Sequence, residues 1–253
     1  MGRFSNRPLH GRLDSRPLHG PLGRVIMRRM RDSKGPRAVI DARSGLGESH
    51  DVIVIREHRA VGEFARSLST IFNPFICATV LFVIVARAYS SSTLHFWELS
   101  FAGLFFFTIA PMLCVFYLYL SGRISDFDMS DRYERHRAFM AFVVVDAFAA
   151  LFLTAVHAPT VLIAITWGYV GATLAIMSIT RWWKISTHAF GITGPFAVMF
   201  LLFGLQALPY VAIVPLVCWA RVYIRSHTVA QVLAGAALAI VSTLVVFRVF
   251  HLI

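Results

Sequence analysis

The chain has 253 residues, of which 57% are hydrophobic and only 15% charged, and its mean hydropathy is +0.68. That composition excludes an ordinary water-soluble domain and requires an integral membrane protein. The formal charge of +11 invites a nucleic-acid reading, but its distribution removes that reading: residues 1–66 hold fourteen Lys and Arg against seven Asp and Glu, leaving the apolar remainder only mildly basic.

The basic segment comes first. Arg7-Pro8-Leu9-His10-Gly11 recurs as Arg16-Pro17-Leu18-His19-Gly20, within a Gly-, Pro- and Arg-rich stretch that lacks a sustained amphipathic period. A disordered tail over 1–66 is expected, since such a composition cannot bury enough apolar surface to offset the cost of ordering. Asp51-Val52-Ile53-Val54-Ile55 and the piece from Val61 to Phe64 are the exceptions, the second as a short helix at the membrane surface. No signal-peptide pattern is present, because no apolar core and cleavage site follow the arginines at once.

Residues 67–253 read as one transmembrane helical domain. A helix needs about 20 apolar residues to cross a bilayer, and segments of that kind lie near 69–88, 98–120, 138–157, 159–180, 189–206, 208–222 and 228–250. The fold class is therefore all-α, a polytopic bundle of about six or seven spans. Pro159 and Pro209 follow very short connectors, so the third and fourth spans, and the fifth and sixth, are expected to form tight helical hairpins. The sixth is short and contains Pro215, which predicts a kinked or incomplete crossing. Cys77, Cys114 and Cys218 lie within apolar runs, show no metal-ligand spacing and read as packing residues.

Counting crossings places three polar loops, 121–137, 181–188 and 223–227, on one membrane face. The first carries Arg132 and Arg135 among the carboxylates Asp126, Asp128, Asp131 and Glu134, a mixture able to neutralise itself. The second, Arg181-Trp182-Trp183-Lys184, has the makeup of a headgroup-level anchor. The second and third also bring a histidine each, His188 and His227. A phosphate monoester is close to a dianion, which guanidinium groups bind through paired, charge-assisted hydrogen bonds while an ammonium supplies a point charge. Arg132, Arg135, Lys184 and Arg221 are the candidate cations, and Ser186 is a candidate hydrogen-bond donor. The helix starting near His188 adds backbone N–H groups. One neutral imidazole can attack phosphorus while the other protonates the leaving alcohol. Gln231, four residues after His227, shares its face if a helix begins at the histidine, and its amide oxygen then fixes the imidazole tautomer.

Arg221 followed six positions later by His227 resembles the third motif of the type 2 phosphatidic acid phosphatase superfamily, Ser-Arg-x5-His-x3-Asp, a superfamily that includes vanadium haloperoxidases. Ile185-Ser186-Thr187-His188 is similar to its second motif, Pro-Ser-Gly-His. The resemblance covers roughly residues 120–240 and is to a divergent bacterial branch. It implies a metal-independent phosphatase without cofactor, acting on a lipid phosphate such as a phosphatidate or a polyprenyl phosphate or diphosphate. In that role His227 is the nucleophile that forms a phosphohistidine, His188 the general acid, and Ser186 and Arg221 phosphate ligands. Departures are plain: Ala220, Ile185 and Thr187 replace the motif serine, proline and glycine, and Gln231 stands where the family has aspartate. A neutral amide orients an imidazole without stabilising the imidazolium. The first motif, Lys-x6-Arg-Pro, is not found, and Lys184 is the residue expected to fill the place of its lysine.

Two other functions fit the same residues. A lipid-phosphate binding protein with weak or no turnover is favoured by Gln231. A small-anion transporter would use Arg132, Arg135 and Lys184, but no inverted repeat is recognisable. The expected partners are the bilayer and a membrane lipid, not nucleic acid, and the resemblance implies a bacterial plasma membrane. Positive-inside bias puts the site face in the cytoplasm, whereas the resemblance implies the outer face. Asp146, costly in lipid, is expected to face the bundle as a hydrogen-bonded structural residue, and Arg248 to reach the opposite interface. Gly191, Gly194, Gly204 and Gly235 are expected to permit close helix packing.

Overall fold

The structure, a computed structural model, describes residues 48–125 and 131–253, with side chains from residue 59 onward apart from Arg132. The tail expectation for 1–47, the side chains of Asp51 to Ile55 and the carboxylates Asp126 and Asp128 lie outside the described residues. The chain divides into two compact units, Met1–Ile53 and Val54–Ile253, and the site is built within the second. Among the described residues every regular element is helical.

The first helix, α1, runs Glu48–Ile71, much longer than the short surface helix expected around residue 61. The boundary drawn after residue 66 falls inside it. Its buried stripe crosses that point, with Ala65 before it and Leu68 after it both packed in one cluster with Ala220. Pro74 then ends it. Proline cannot donate an N–H and forces the preceding residue into an extended conformation, so Asn73 adopts φ −64° and ψ 139°, and its side chain caps α2 (Pro74–Tyr89) by accepting from Phe75 N. The two helices meet at a bend of 48°.

The next span begins with α3 (Thr93–Leu104) and ends with α4 (Ala110–Leu120), joined by a π-helical turn at Phe105–Ile109. Pro111 accounts for that turn, since its ring removes one bond of the ladder and crowds the carbonyl four residues back, that of Phe107. Then come α5 (Arg132–Ala155), α6 (Thr160–Thr180), α7 (Thr187–Phe203), a 3-10 segment at Gly204–Tyr210, α8 (Ile213–Tyr223) and α9 (Val229–Val249). The main partnerships are α5 with α6 and α7 with α9, while α2 lies against α3 and α7.

Seven apolar segments were expected, and all seven are helical. Five are long and apolar enough to cross a bilayer, and the bent α1–α2 pair adds a sixth if its two helices form one span. The seventh, α8, has 11 residues, ~16 Å at 1.5 Å per residue, about half the hydrocarbon thickness. The hairpin between α5 and α6 is tight as expected. The one after α7 is not: Pro209 sits within the 3-10 segment instead of starting a helix.

Of the four glycines expected to permit close packing, two do so in the strict sense. A Cβ on Gly235 would collide with the carbonyl oxygen of Ser186, and one on Gly191 would lie 2.8 Å from the Cα of Pro74. These approaches bring α9 against the Ser186 loop and α7 against the start of α2. Gly194 and Gly204 have no such neighbour, which corrects the packing role expected of them; Gly204 instead takes a left-handed φ of +59° at the end of α7.

Candidate phosphate site

The three loops meet. Ile124 from the first and Ile185 from the second share one buried cluster with Phe139 of α5 and Ile176 of α6. The second is tied to the first turn of α9, just past the third, by a main-chain hydrogen bond from Ser186 N to the Gln231 carbonyl, 3.2 Å. Residues 187–227 therefore run out and back through α7, the 3-10 segment and α8.

The spacing from Arg221 to His227 has a backbone cause. Ile224 caps α8, Arg225 adopts the left-handed conformation (φ 55°), and the turn closes with Arg225 N bonded to Val222 O (2.9 Å) and Ser226 N to Arg221 O (3.1 Å). That is a Schellman turn, built on an arginine where glycine is usual. The His227 N–H also donates to the Arg221 carbonyl at 3.3 Å. The histidine is thereby folded back over the residue six positions before it.

His227 does not begin a helix, contrary to the condition set for its pairing with Gln231. Thr228 is the N-cap of α9, its hydroxyl accepting from Gln231 N, and the Gln231 side chain reaches back to the Thr228 N–H at 3.1 Å. This capping box holds Gln231 Oε1 3.3 Å from His227 Nδ1. An amide oxygen only accepts, so Nδ1 carries the hydrogen and Nε2 keeps its lone pair. The pairing exists, though its geometry is that of a cap and not of two residues one turn apart on a helix. Burial holds the His227 pKa down to about 4, and the charges of Lys184, Arg221 and Arg135 add to that effect against the opposing Gln231 bond.

His188 stands in the first turn of α7, whose N-cap is Ser186. Arg221 and His227 both act on its ring electrostatically, and the ring approaches the Ser69 main chain. Its Nδ1 is buried without a hydrogen-bond partner. Ser186 is fully buried, and its oxygen accepts from Ala189 N at 3.3 Å, leaving its O–H as the group it can offer an anion. Helix geometry leaves the N–H groups of Thr187 and His188 unused at the same end. Arg221 is 7% exposed and donates to the Ser69 hydroxyl at 2.7 Å. It is the cation common to both rings.

Arg135 lies in the first turn of α5, which Asp131 caps by accepting from Tyr133 N and Glu134 N. That carboxylate thus has a structural use. Arg132 is the first residue of the same helix, and its side chain falls outside the described residues.

A cavity of about 480 Å³ opens at this end of the bundle and runs inward between α1, α2, α5, α6 and α7. His188, Thr187 and Arg221 line it from one side, while Arg66, Ser69, Thr70 and Asn73 line it from α1 and its end. Residues 59–73 were missed as site residues, although a signal existed. Arg66 precedes Asn73-Pro74 by the spacing of the Lys-x6-Arg-Pro pattern, with arginine for lysine and asparagine for arginine. His227, Lys184 and Arg135 do not line this cavity; Arg221, which does, acts on the His227 ring, as do Lys184 and Arg135.

No protein-family model matches the chain, no curated protein matches it, and no solved structure matches it. Among the described residues no group of three or more His, Cys, Asp or Glu side chains is placed to hold a metal ion.

Proposed function

We propose that this protein is a membrane phosphatase that needs no metal and hydrolyses a lipid phosphate, phosphatidate-like or polyprenyl, through a phosphohistidine at His227, in the manner of the type 2 phosphatidic acid phosphatases it resembles. The observation that carries this reading is one buried guanidinium, Arg221, acting on two histidines, one of which is held neutral with its Nδ1 toward an amide oxygen. An imidazole kept neutral at physiological pH, with Nε2 free, is what a nitrogen nucleophile requires.

In the reaction, Arg221, Lys184, Arg135, Ser186 and the N–H groups at the start of α7 surround the phosphoryl oxygens and stabilise the charge that grows on them. Arg66, which is ion-paired with Glu63 at 2.7 Å, and the Asn73 amide N–H groups line the cavity at the positions of the first motif and are the groups that would add to this cage. His227 Nε2 forms a bond to phosphorus as the ester oxygen leaves, and His188 gives that oxygen its proton. The bound dianion provides the negative charge that a protonated His188 needs beside Arg221. Water then attacks the phosphohistidine, His188 takes the water proton, and inorganic phosphate is released. The apolar walls of the cavity take the start of the lipid chain.

Phosphate release from phosphatidate, phosphatidylglycerol phosphate and polyprenyl phosphates, measured in detergent with chelator present, tests the reading. Release is expected from at least one of them in the parent, with loss in His227→Ala and His188→Ala. Equal rates in parent and variants would end it. Gln231 favours a second reading, a phosphate-binding protein with little turnover, because a neutral amide does less than a carboxylate for the imidazolium. Binding of lipid phosphate without release, converted to release by Gln231→Glu, would select that alternative.

A further inference from the structure

The two sides of α5 line different spaces. Phe139, Phe142 and Asp146, whose carboxylate accepts a 2.7 Å hydrogen bond from the Thr173 hydroxyl, face the phosphate cavity. Arg137, Met140, Ala141 and Val144 line a separate groove of about 560 Å³ between α4 and α5. Their spacing of i, i+3, i+4 and i+7 makes one stripe along the helix, and Cys114, Tyr117 and Leu118 form the facing wall on α4. Tyr117, Met140 and Val144 are all more than half exposed on helices long and apolar enough to cross a bilayer, so the medium that meets them is hydrocarbon.

Two arginines close the loop end of this groove. Arg137 donates to the Arg123 carbonyl at 3.1 Å, and the Arg123 guanidinium lies 5.7 Å from the centroid of the Tyr117 ring. Both are exposed, and among the described residues neither is ion-paired. Glu134, nearly one turn before Arg137, accepts instead from the Ser125 hydroxyl at 3.0 Å, and Asp131 is spent on the cap of α5.

A soluble anion would meet the guanidiniums and leave the apolar groove unfilled, while a neutral hydrocarbon chain would fill the groove and leave the charges unmatched. A phospholipid does both: its phosphate takes charge-assisted hydrogen bonds from the arginines and its chain lies against the apolar stripe. A headgroup bearing its own ammonium brings a third cation beside the two guanidiniums, whereas one ending in a neutral alcohol leaves the attraction undiluted. We infer that the groove between α4 and α5 is a binding site for one phospholipid with an anionic headgroup, its phosphate bridging Arg123 and Arg137 and an acyl chain running past Met140 to Val144. No histidine lines the groove, so this lipid is held and not turned over. It fastens the loop end of α4 to the start of α5, the helix that carries Arg135. The inference does not depend on the phosphatase reading.

The test uses the purified full-length protein in mild detergent, washed free of copurified lipid and then given equal amounts of phosphatidylglycerol and phosphatidylcholine with the same acyl chains. Native mass spectrometry counts the molecules retained. The parent is expected to hold a single phosphatidylglycerol in about tenfold or greater preference to phosphatidylcholine, the range for hydrogen bonds to a charged group. Arg123→Gln combined with Arg137→Gln should cut that preference to less than about twofold. Val144→Trp, which keeps both charges and fills the groove, should lower phosphatidylglycerol retention by about tenfold, the scale for displacing a few buried methylenes. Val144 is exposed, so this variant keeps the test open if the arginine pair is needed for folding. Equal retention of the two lipids by the parent, or a preference that survives the arginine substitutions, would overturn the site. Loss through the arginines with no effect of Val144→Trp would also overturn it, marking a charged rim without a groove ligand. Displacement of the lipid by glycerol phosphate at equal concentration would overturn it too, because the occupant would then be a soluble anion.

Discussion

Two histidines follow helix ends of the same construction and meet opposite fates. His157 ends α5 and His227 follows α8; both ends are Schellman turns with a non-glycine residue at φ 55°. At the first, the histidine itself occupies the left-handed position and is exposed. At the second, Arg225 occupies it, so the histidine falls two residues later and is carried back onto the Arg221 carbonyl, half buried among three cations. A turn of one kind thus gives an ordinary surface residue or a candidate nucleophile, depending on a shift of two positions.

The largest expected effect separates these two residues. His227→Ala should lower phosphate release by about 10³-fold or more, the scale for loss of a covalent nucleophile, while His157→Ala changes it by less than about twofold. Comparable losses in both would mean that position relative to the turn is irrelevant. The Ser69 hydroxyl holds Arg221 in place, so Ser69→Ala is expected to cost about tenfold in kcat/KM, and Ser69→Thr, which restores a hydroxyl, should recover most of it.

The acid limb of activity sharpens the comparison further. With its pKa lowered to about 4, His227 stays neutral and competent as pH falls, so kcat/KM should hold until its acid limb near pH 4 instead of near the ordinary 6.5. Gln231→Glu places a carboxylate on Nδ1 and should move that limb up by about one to two units. A limb at 6.5 in the parent would mean that the three cations and the burial do not act on the working nucleophile. The unfolded chain takes up the His227 proton near 6.5 and the folded one only near 4, so this residue lowers folding stability as pH falls across that window.

Much of this was legible from sequence, and the remainder fails for identifiable reasons. Among the described residues, long apolar runs located the five helices able to cross a bilayer, because the hydrocarbon thickness dictates their length. Loop parity brought His188, His227 and Arg221 to one end. Helix C-termini were not readable, since the rule of a glycine just past the end is met after α4 by Gly122 but replaced by His157, Arg225 and His251 after α5, α8 and α9. The resemblance sets Gln231 against a catalytic aspartate, whereas in the structure its side chain closes a capping box with Thr228. Arg66 and Asn73 are hidden because the pattern Lys-x6-Arg-Pro names lysine and arginine at positions where this chain has arginine and asparagine.

Two smaller effects concern the frame around the site. Gly235→Ala drives a methyl group into the Ser186 carbonyl and should cost about 1–3 kcal/mol, with release falling further than the shift in Tm alone explains, because the displaced loop carries Ser186 and His188. Arg225→Gly relieves a left-handed residue and should raise Tm by a few degrees, about 1 kcal/mol, with activity retained. The same change would be without effect if that turn were strained by nothing.

The central claim is that phosphorus becomes bonded to His227. Rapid quenching of the protein with a lipid phosphate substrate, followed by mass spectrometry under conditions that preserve phosphohistidine, tests it most directly. Modification at His227 and not at His157 or His188, gained and lost on the timescale of turnover, is the expected result. Phosphate released with His227 unmodified at every time point would contradict the account.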